Sequence, residues 1–228
     1  EIAFSVEQDI FSESLGQLHD GDVLSDQGRV VTNYTGLIGV FRPEPPPMDQ
    51  GLDALQILDT GEILFSVKQD FWSEGLSRLI RKGDLLSSRG VIVKTQEELL
   101  ARFQPASPKQ DYGLDAVYVW PSGEIWFSVE SGFYGQHFEP YNRGDVLSDQ
   151  GYLVYRNLDL LTAFQPLEDL ADFGLDALFI VSDVGAPTPT TPAPQCVSIR
   201  WEQGALRMEW KAPGRLFQLE SATNILGP

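Results

Sequence analysis

Gly113-Leu-Asp-Ala-Val-Tyr-Val-Trp-Pro-Ser-Gly-Glu-Ile-Trp-Phe-Ser-Val129 is the stretch from which the rest of the chain can be read. Two runs of β-branched and aromatic residues flank Pro121-Ser-Gly123, which is the composition of a β-hairpin. The same hairpin is written at Gly51-Leu-Asp-Ala-Leu-Gln-Ile-Leu-Asp-Thr-Gly-Glu-Ile-Leu-Phe-Ser-Val67. A third version begins at Gly174-Leu-Asp-Ala, and its second half stands at the other terminus as Glu1-Ile-Ala-Phe-Ser-Val6.

Working outward, other positions recur with the hairpin. Gly21-Asp22, Gly83-Asp84 and Gly144-Asp145 are followed by Leu24-Ser25, Leu86-Ser87 and Leu147-Ser148, then by Gly28, Gly90 and Gly151. Phe41, Phe103 and Phe164 come next, each with a proline two residues on. The period defines copies 1–61, 62–123 and 124–183. Each copy reads as about four strands, such as Leu114–Trp120, Glu124–Val129, Asp145–Ser148 and Tyr152–Tyr155. The runs 96–103 and 158–164 read as short helical turns, stopped by Pro105 and Pro166.

These features predict an all-β domain over 1–183, with three four-stranded repeats of about 61 residues in a propeller-like arrangement. The arrangement is either pseudo-threefold, with residues 174–183 pairing against 1–6, or truncated from a longer array. A β-trefoil-like fold is the alternative. Residues 184–195 hold four prolines and three threonines without periodicity, the composition of an extended linker. Residues 196–228 alternate like three strands, too few for a complete sandwich, and predict an incomplete immunoglobulin-like β module.

Composition narrows the function. The formal charge is −17, and residues 1–183 hold 30 Asp and Glu against 12 Lys and Arg. Such a surface repels phosphate backbones, so no nucleic-acid partner is expected. Cys196 stands alone, so there is no internal disulfide framework. No apolar run reaches the ~18–20 residues of a membrane helix.

The recurring acids are the first candidate sites. Asp53, Asp115 and Asp176 share a strand face with apolar residues, which favours a structural role accepting bonds from backbone N–H groups or from Ser5, Ser66 or Ser128. Gathered near an axis, the three would instead suit Ca²⁺; no other cofactor is indicated. The Gly-Asp pairs read as turns in which glycine takes a positive φ and aspartate bonds back to the loop. Arg143-Gly144-Asp145 is the third of these, and its arginine is not repeated in the other copies. Asn33-Tyr-Thr35 fits a glycosylation acceptor. His19 and His137 lack zinc-ligand spacing, and no nucleophile elbow accompanies them.

After each Phe-Ser-Val, a segment read as a loop brings aromatics beside acids: Phe11, Phe71-Trp72 and Phe133-Tyr134. They are candidate contacts for a carbohydrate or protein ligand, or else plugs between neighbouring sheets. Carboxylates in the same segments, such as Asp70 and Glu74, leave open a polysaccharide-acting hydrolase or lyase.

The repeat over 1–183 resembles propeller-like repeats of secreted bacterial proteins. The tail Phe217-Gln-Leu-Glu-Ser-Ala-Thr-Asn-Ile-Leu-Gly-Pro228 is similar to a segment of immunoglobulin- or fibronectin-type modules appended to exported bacterial proteins. The resemblance implies an extracellular or envelope location and a non-catalytic role in binding or scaffolding, and it transfers no catalytic residue. The sequence sets no expectation for oligomeric state.

Overall fold

The computed structural model divides into two compact units, Glu1–Asp183 and Val184–Pro228. It describes residues 2–6, 8–44, 51–165 and 172–180 of the first, and the strands Cys196–Glu202, Ala205–Ala212 and Arg215–Ser221 of the second. Those three strands form an antiparallel meander in chain order. The expected linker 184–195 lies outside the described residues.

The first unit is predominantly β, and among the described residues none of its sheets closes on itself. The hairpin read at 113–129 is present as Ala116–Val119 paired with Ile125–Ser128. Val146–Ser148 and Tyr152–Tyr155 complete a four-stranded antiparallel sheet in that order. The preceding copy repeats it with Leu55–Ile57, Ile63–Phe65, Leu85–Ser87 and Val91–Lys94. The first copy supplies three strands, Ala3–Phe4, Val23–Ser25 and Arg29–Thr32. The register shifts at the same place in all three sheets, between Val23 and Leu24, Leu85 and Leu86, and Val146 and Leu147. Such an irregularity twists the outer pair locally, and its recurrence marks it as part of the repeat.

Each sheet is followed by a short helix: Tyr34–Ile38, Gln96–Leu99 and Asn157–Leu161, the first and third running on into 3₁₀ turns that end at Phe41 and Phe164. Thr95 starts the second with a reciprocal capping box, its hydroxyl taking the Glu98 N–H while Glu98 takes the Thr95 N–H at 2.8 Å. The segment read as a loop after Phe-Ser-Val is instead a second, smaller sheet. Ile10–Ser12 pairs with Gly16–Leu18, Phe71–Ser73 with Arg78–Ile80, and Phe133–Tyr134 with Pro140–Tyr141. Its strands are two or three residues long, too short for periodicity to separate them from turns.

Side-chain alternation gives every sheet two apolar faces. Ile63, Phe65 and Leu86 pack with Val23, Leu37, Ile38 and Phe41 of the first copy, whereas Leu64 and Leu85 join Ile125, Phe127 and Leu147 of the third. The core is therefore two layers, one in each junction between consecutive sheets. The junctions are built alike. Phe41 meets Phe65 and Phe71 edge-on at 6.4 and 6.2 Å, and Phe103 meets Phe127 and Phe133 at 6.5 and 6.0 Å. Burying each such ring contributes about 1.5–3 kcal/mol, with edge-to-face geometry adding about 0.5–1.5.

Candidate functional site

The acids of the Gly-Asp pairs are buried, and their oxygens close the framework. Asp22 accepts the N–H of His19 and of Tyr34, both at 2.9 Å. Asp84 accepts from Arg81 at 3.2 Å and Gln96 at 3.0 Å; Asp145 accepts from Asn142 at 3.0 Å and Asn157 at 2.9 Å. One carboxylate in each copy thus locks a turn and takes the leading N–H of the following helix, a group left without an intrahelical partner. Asp145 also holds Arg156 at 3.0 Å, so Arg143-Gly144-Asp145 presents a carboxylate that is already engaged. The expected reason for the glycine is corrected for Gly83 and Gly144, whose φ is not positive. A Cβ there would lie 2.5 Å from Gln96 Oε1 or 2.3 Å from Asn157 Nδ2, so these glycines permit close approach.

Gln96 and Asn157 were not singled out in the sequence. Gln96 donates Nε2–H to Gln110 O at 2.8 Å and accepts the Tyr112 N–H at 2.5 Å. Asn157 does the same for Gly174 O and Phe173 N–H, at 2.9 and 2.7 Å. Each amide clamps the chain as it enters the next Gly-Leu-Asp-Ala. The available signal was an amide side chain twelve residues after the turn aspartate in two copies, with Tyr34 in the first. Glu124 was also missed: it is buried and accepts from Ser148 at 2.5 Å, from Trp126 at 3.0 Å and from the Tyr152 hydroxyl. Burial, followed by the bond to Glu124, pushes the Tyr152 hydroxyl up to about 12.

Among the aspartates of Gly-Leu-Asp-Ala, Asp53 has a setting of its own. Ser66 accepts the Ala54 N–H at 2.8 Å and donates to Leu114 O at 2.6 Å, and Ser128 donates to Leu175 O at 2.9 Å. These serines tie one repeat to the next through backbone. Asp53 Oδ2 is buried with no donor beside it. Burial, then Glu130 and the Asp115 charge, push the Asp53 carboxyl up to about 8, against a smaller opposing pull from Lys68. Ionised, Asp53 leaves Oδ2 unsatisfied; protonated, it is a donor with the Glu130 carboxylate as acceptor. Lys82 forms an ion pair with Glu130, and Lys68 lies 3.5 Å from Asp20, so ammonium groups supply the positive charge at both junctions. Asp176 is exposed. Among the described residues no three His, Cys, Asp or Glu side chains gather as a cation site.

The aromatic candidates separate into two rows. Phe71 and Phe133 are buried, which removes them from the expected ligand surface: they pack on Phe41 and Phe103 inside the junctions. Phe11, Trp72 and Tyr134, one residue further along the same strands, are exposed in all three copies. Alternation along a strand explains the split, and the rows were not separable while the segment was read as a loop. Trp72 sits opposite Leu79 on one side and Glu44 on the other. Glu44 is held above its usual range by a bond to Glu74 and by that group's charge. Asn33, the glycosylation candidate, caps the first helix, accepting from Gly36 N–H at 2.8 Å and Thr35 Oγ1 at 3.0 Å. A pocket of about 320 Å³ lies beside the second helix, lined by Gln96, Leu100, Gln104, Pro105, Pro108 and Tyr112 among others. No helix among the described residues is long and apolar enough to cross a membrane.

Comparisons with family models, with curated proteins and with solved structures give no match.

Proposed function

We propose that residues 1–183 form a non-enzymatic repeat scaffold that acts by binding, presenting Phe11, Trp72 and Tyr134 as rungs to a carbohydrate or protein ligand outside the cytoplasm. The observation that carries this reading is an exposed ring at the same strand position in all three copies, set beside a buried ring in the second and third. Core packing accounts for the buried row and leaves the exposed row without a structural task. Aromatic faces at a fixed repeat spacing suit an extended ligand with its own repeat, since each contact adds at high effective concentration. The recurring buried acids of the Gly-Asp pairs are engaged in turns and helix starts, which favours a scaffold over a catalyst. A propeller-like arrangement of the sheets belongs to the same proposal, as does an extracellular or envelope location. Calcium held jointly by Asp53, Asp115 and Asp176 is tested separately by titration calorimetry, where no heat and an unchanged Tm would dispose of it.

A glycan array and a hydrolysis assay on the same protein test the reading. Binding without turnover, weakened about tenfold or more by Trp72→Ala or Tyr134→Ala, is expected. Turnover would establish the competing polysaccharide hydrolase or lyase.

A further inference from the structure

The small hairpins present a second apolar residue besides the exposed ring. Leu15, Leu76 and Phe138, each four residues after Phe11, Trp72 and Tyr134, are 47 %, 37 % and 79 % exposed at the turn of their hairpin. The same bond fixes all three turns. Leu15 and Leu76 donate their N–H to Ser12 Oγ at 3.2 Å and Ser73 Oγ at 3.1 Å, and Phe138 donates to Gly135 O at 3.0 Å. In the second copy the turn is tied to the core. Ser73 is buried and its hydroxyl donates to Phe41 O at 2.6 Å, while Glu74 and Gly75 donate to Arg42 O and Phe41 O at 3.0 and 3.1 Å. An apolar side chain held out by so firm a turn has little left to order when it meets a partner. Its exposure is a property of hairpins that already have a neighbour. Pro43–Glu44 pairs with Phe71–Ser73, and Ala106 donates to Tyr134 O at 2.8 Å.

Strand pairing puts Glu44, Trp72 and Leu79 directly opposite one another, in one row across three strands. Such partners share a face of the sheet, and all three are exposed. Glu74, between Trp72 and Leu76, shares a hydrogen bond with Glu44, and among the described residues neither carboxylate has a cationic partner. The other copies also place a carboxylate at the tip: Glu13 lies between Phe11 and Leu15, and Glu139 follows Phe138.

This composition selects among ligands. A sugar stacks on a flat ring and is oriented by hydrogen bonds from polar groups around it, to which Leu15, Leu76 and Leu79 contribute nothing. A ring set among apolar neighbours with a charged rim is the anatomy of a protein-binding patch. The charge gives the sign of the partner. Residues 1–183 hold 30 acidic against 12 basic side chains, a field that draws in cations and turns away anionic lipid. Trp72 also offers the ring face that best takes an ammonium or guanidinium group.

We infer that the partner of the exposed row is a basic polypeptide. Its apolar side chains rest on the ring and tip residue of each hairpin, and a lysine or arginine enters between Glu44 and Glu74 beside Trp72. The inference rests on the binding role proposed above and narrows the ligand to one class.

Titration calorimetry of the 228-residue protein tests it, using a synthetic peptide that alternates lysine with leucine and a counterpart with glutamate in place of lysine. The lysine peptide is expected to bind and the glutamate peptide to give no heat. Trp72→Ala, Leu76→Ser and Leu79→Ser are each expected to weaken binding about tenfold or more. Glu74→Gln is expected to weaken it by a smaller factor that shrinks as salt is raised. All four positions are exposed, and an unchanged circular dichroism spectrum verifies folding of the variants. The first three substitutions leave the net charge alone. Binding at wild-type strength in those variants would therefore mean general attraction to an acidic surface and overturn the inference. Glycan binding that needs Trp72 but neither Leu76 nor Leu79 would overturn it too, while leaving the binding role of the ring row standing. Failure of both peptide and glycan to bind would overturn the two together.

Discussion

Phe103 and Phe164 hold the same position in consecutive repeats, two residues before a proline, and their surroundings are opposite. Phe103 is wedged between Phe127 and Phe133, whereas Phe164 stands in the open. Local sequence does not separate them: both follow a short helix, and the next residue in each case, Gln104 or Gln165, has a positive φ near 50°. The difference is whether a following sheet packs on the ring among the described residues. In a stack whose stability resides in junctions between neighbours, a residue's energetic weight is set by the repeat beside it as much as by its own.

That contrast can be broken most directly by truncation. Phe103→Ala is expected to cost about 3–5 kcal/mol and Phe164→Ala less than about 0.5 kcal/mol, measured by denaturant unfolding below the concentration of any self-association. Equal losses would mean that the two ends are covered. Next in size, Asp84→Ala should lose about 1–3 kcal/mol, because the N–H groups of Arg81 and Gln96 are left without their acceptor. Comparable losses for Asp22→Ala and Asp145→Ala would show that this lock works alike in all copies.

The junction charges allow a finer test. Lys82→Glu is expected to destabilise by about 1 kcal/mol or less, and the double change with Glu130→Lys to recover most of it in a double-mutant cycle. Smallest is a change of slope. The folded-state Asp53 carboxyl sits at about 8, above its unfolded value, so the folded protein binds the extra proton between those limits. Its favourable contribution is fully present below the unfolded value and is lost as pH rises through about 8. Asp53→Asn should therefore flatten the fall in Tm across that window and raise Tm on its alkaline side. An unchanged profile would place the titration elsewhere.

Much of this organisation was legible in the chain. The hairpin at 113–129, its recurrence, the third and fourth strands and the short helices followed from turn residues, alternation and period, because each rests on contacts local in sequence. The small sheet carrying Trp72 and Tyr134 reads as a loop in the sequence because strands this short leave no periodic signature. The turn acids were legible as turn acids. Their second bond, to the helix twelve residues on, needed the geometry of the intervening strands. Asp53 shows the limit most plainly: set in the same Gly-Leu-Asp-Ala-Leu as Asp176, it is half-buried near Glu130 of the following repeat, whereas Asp176 is exposed.

The alternation of Asp20–Lys68 with Lys82–Glu130 has a consequence for how such a chain can change over generations. Unequal crossing-over that duplicated the central repeat would set Lys82 against Lys68, like against like. A duplicated third repeat would set Arg143 against Glu130 and keep the signs opposed. Copying the third repeat thus carries little electrostatic cost, while copying the second sets like charges together, so the charge order preserves a record of which repeat belongs beside which.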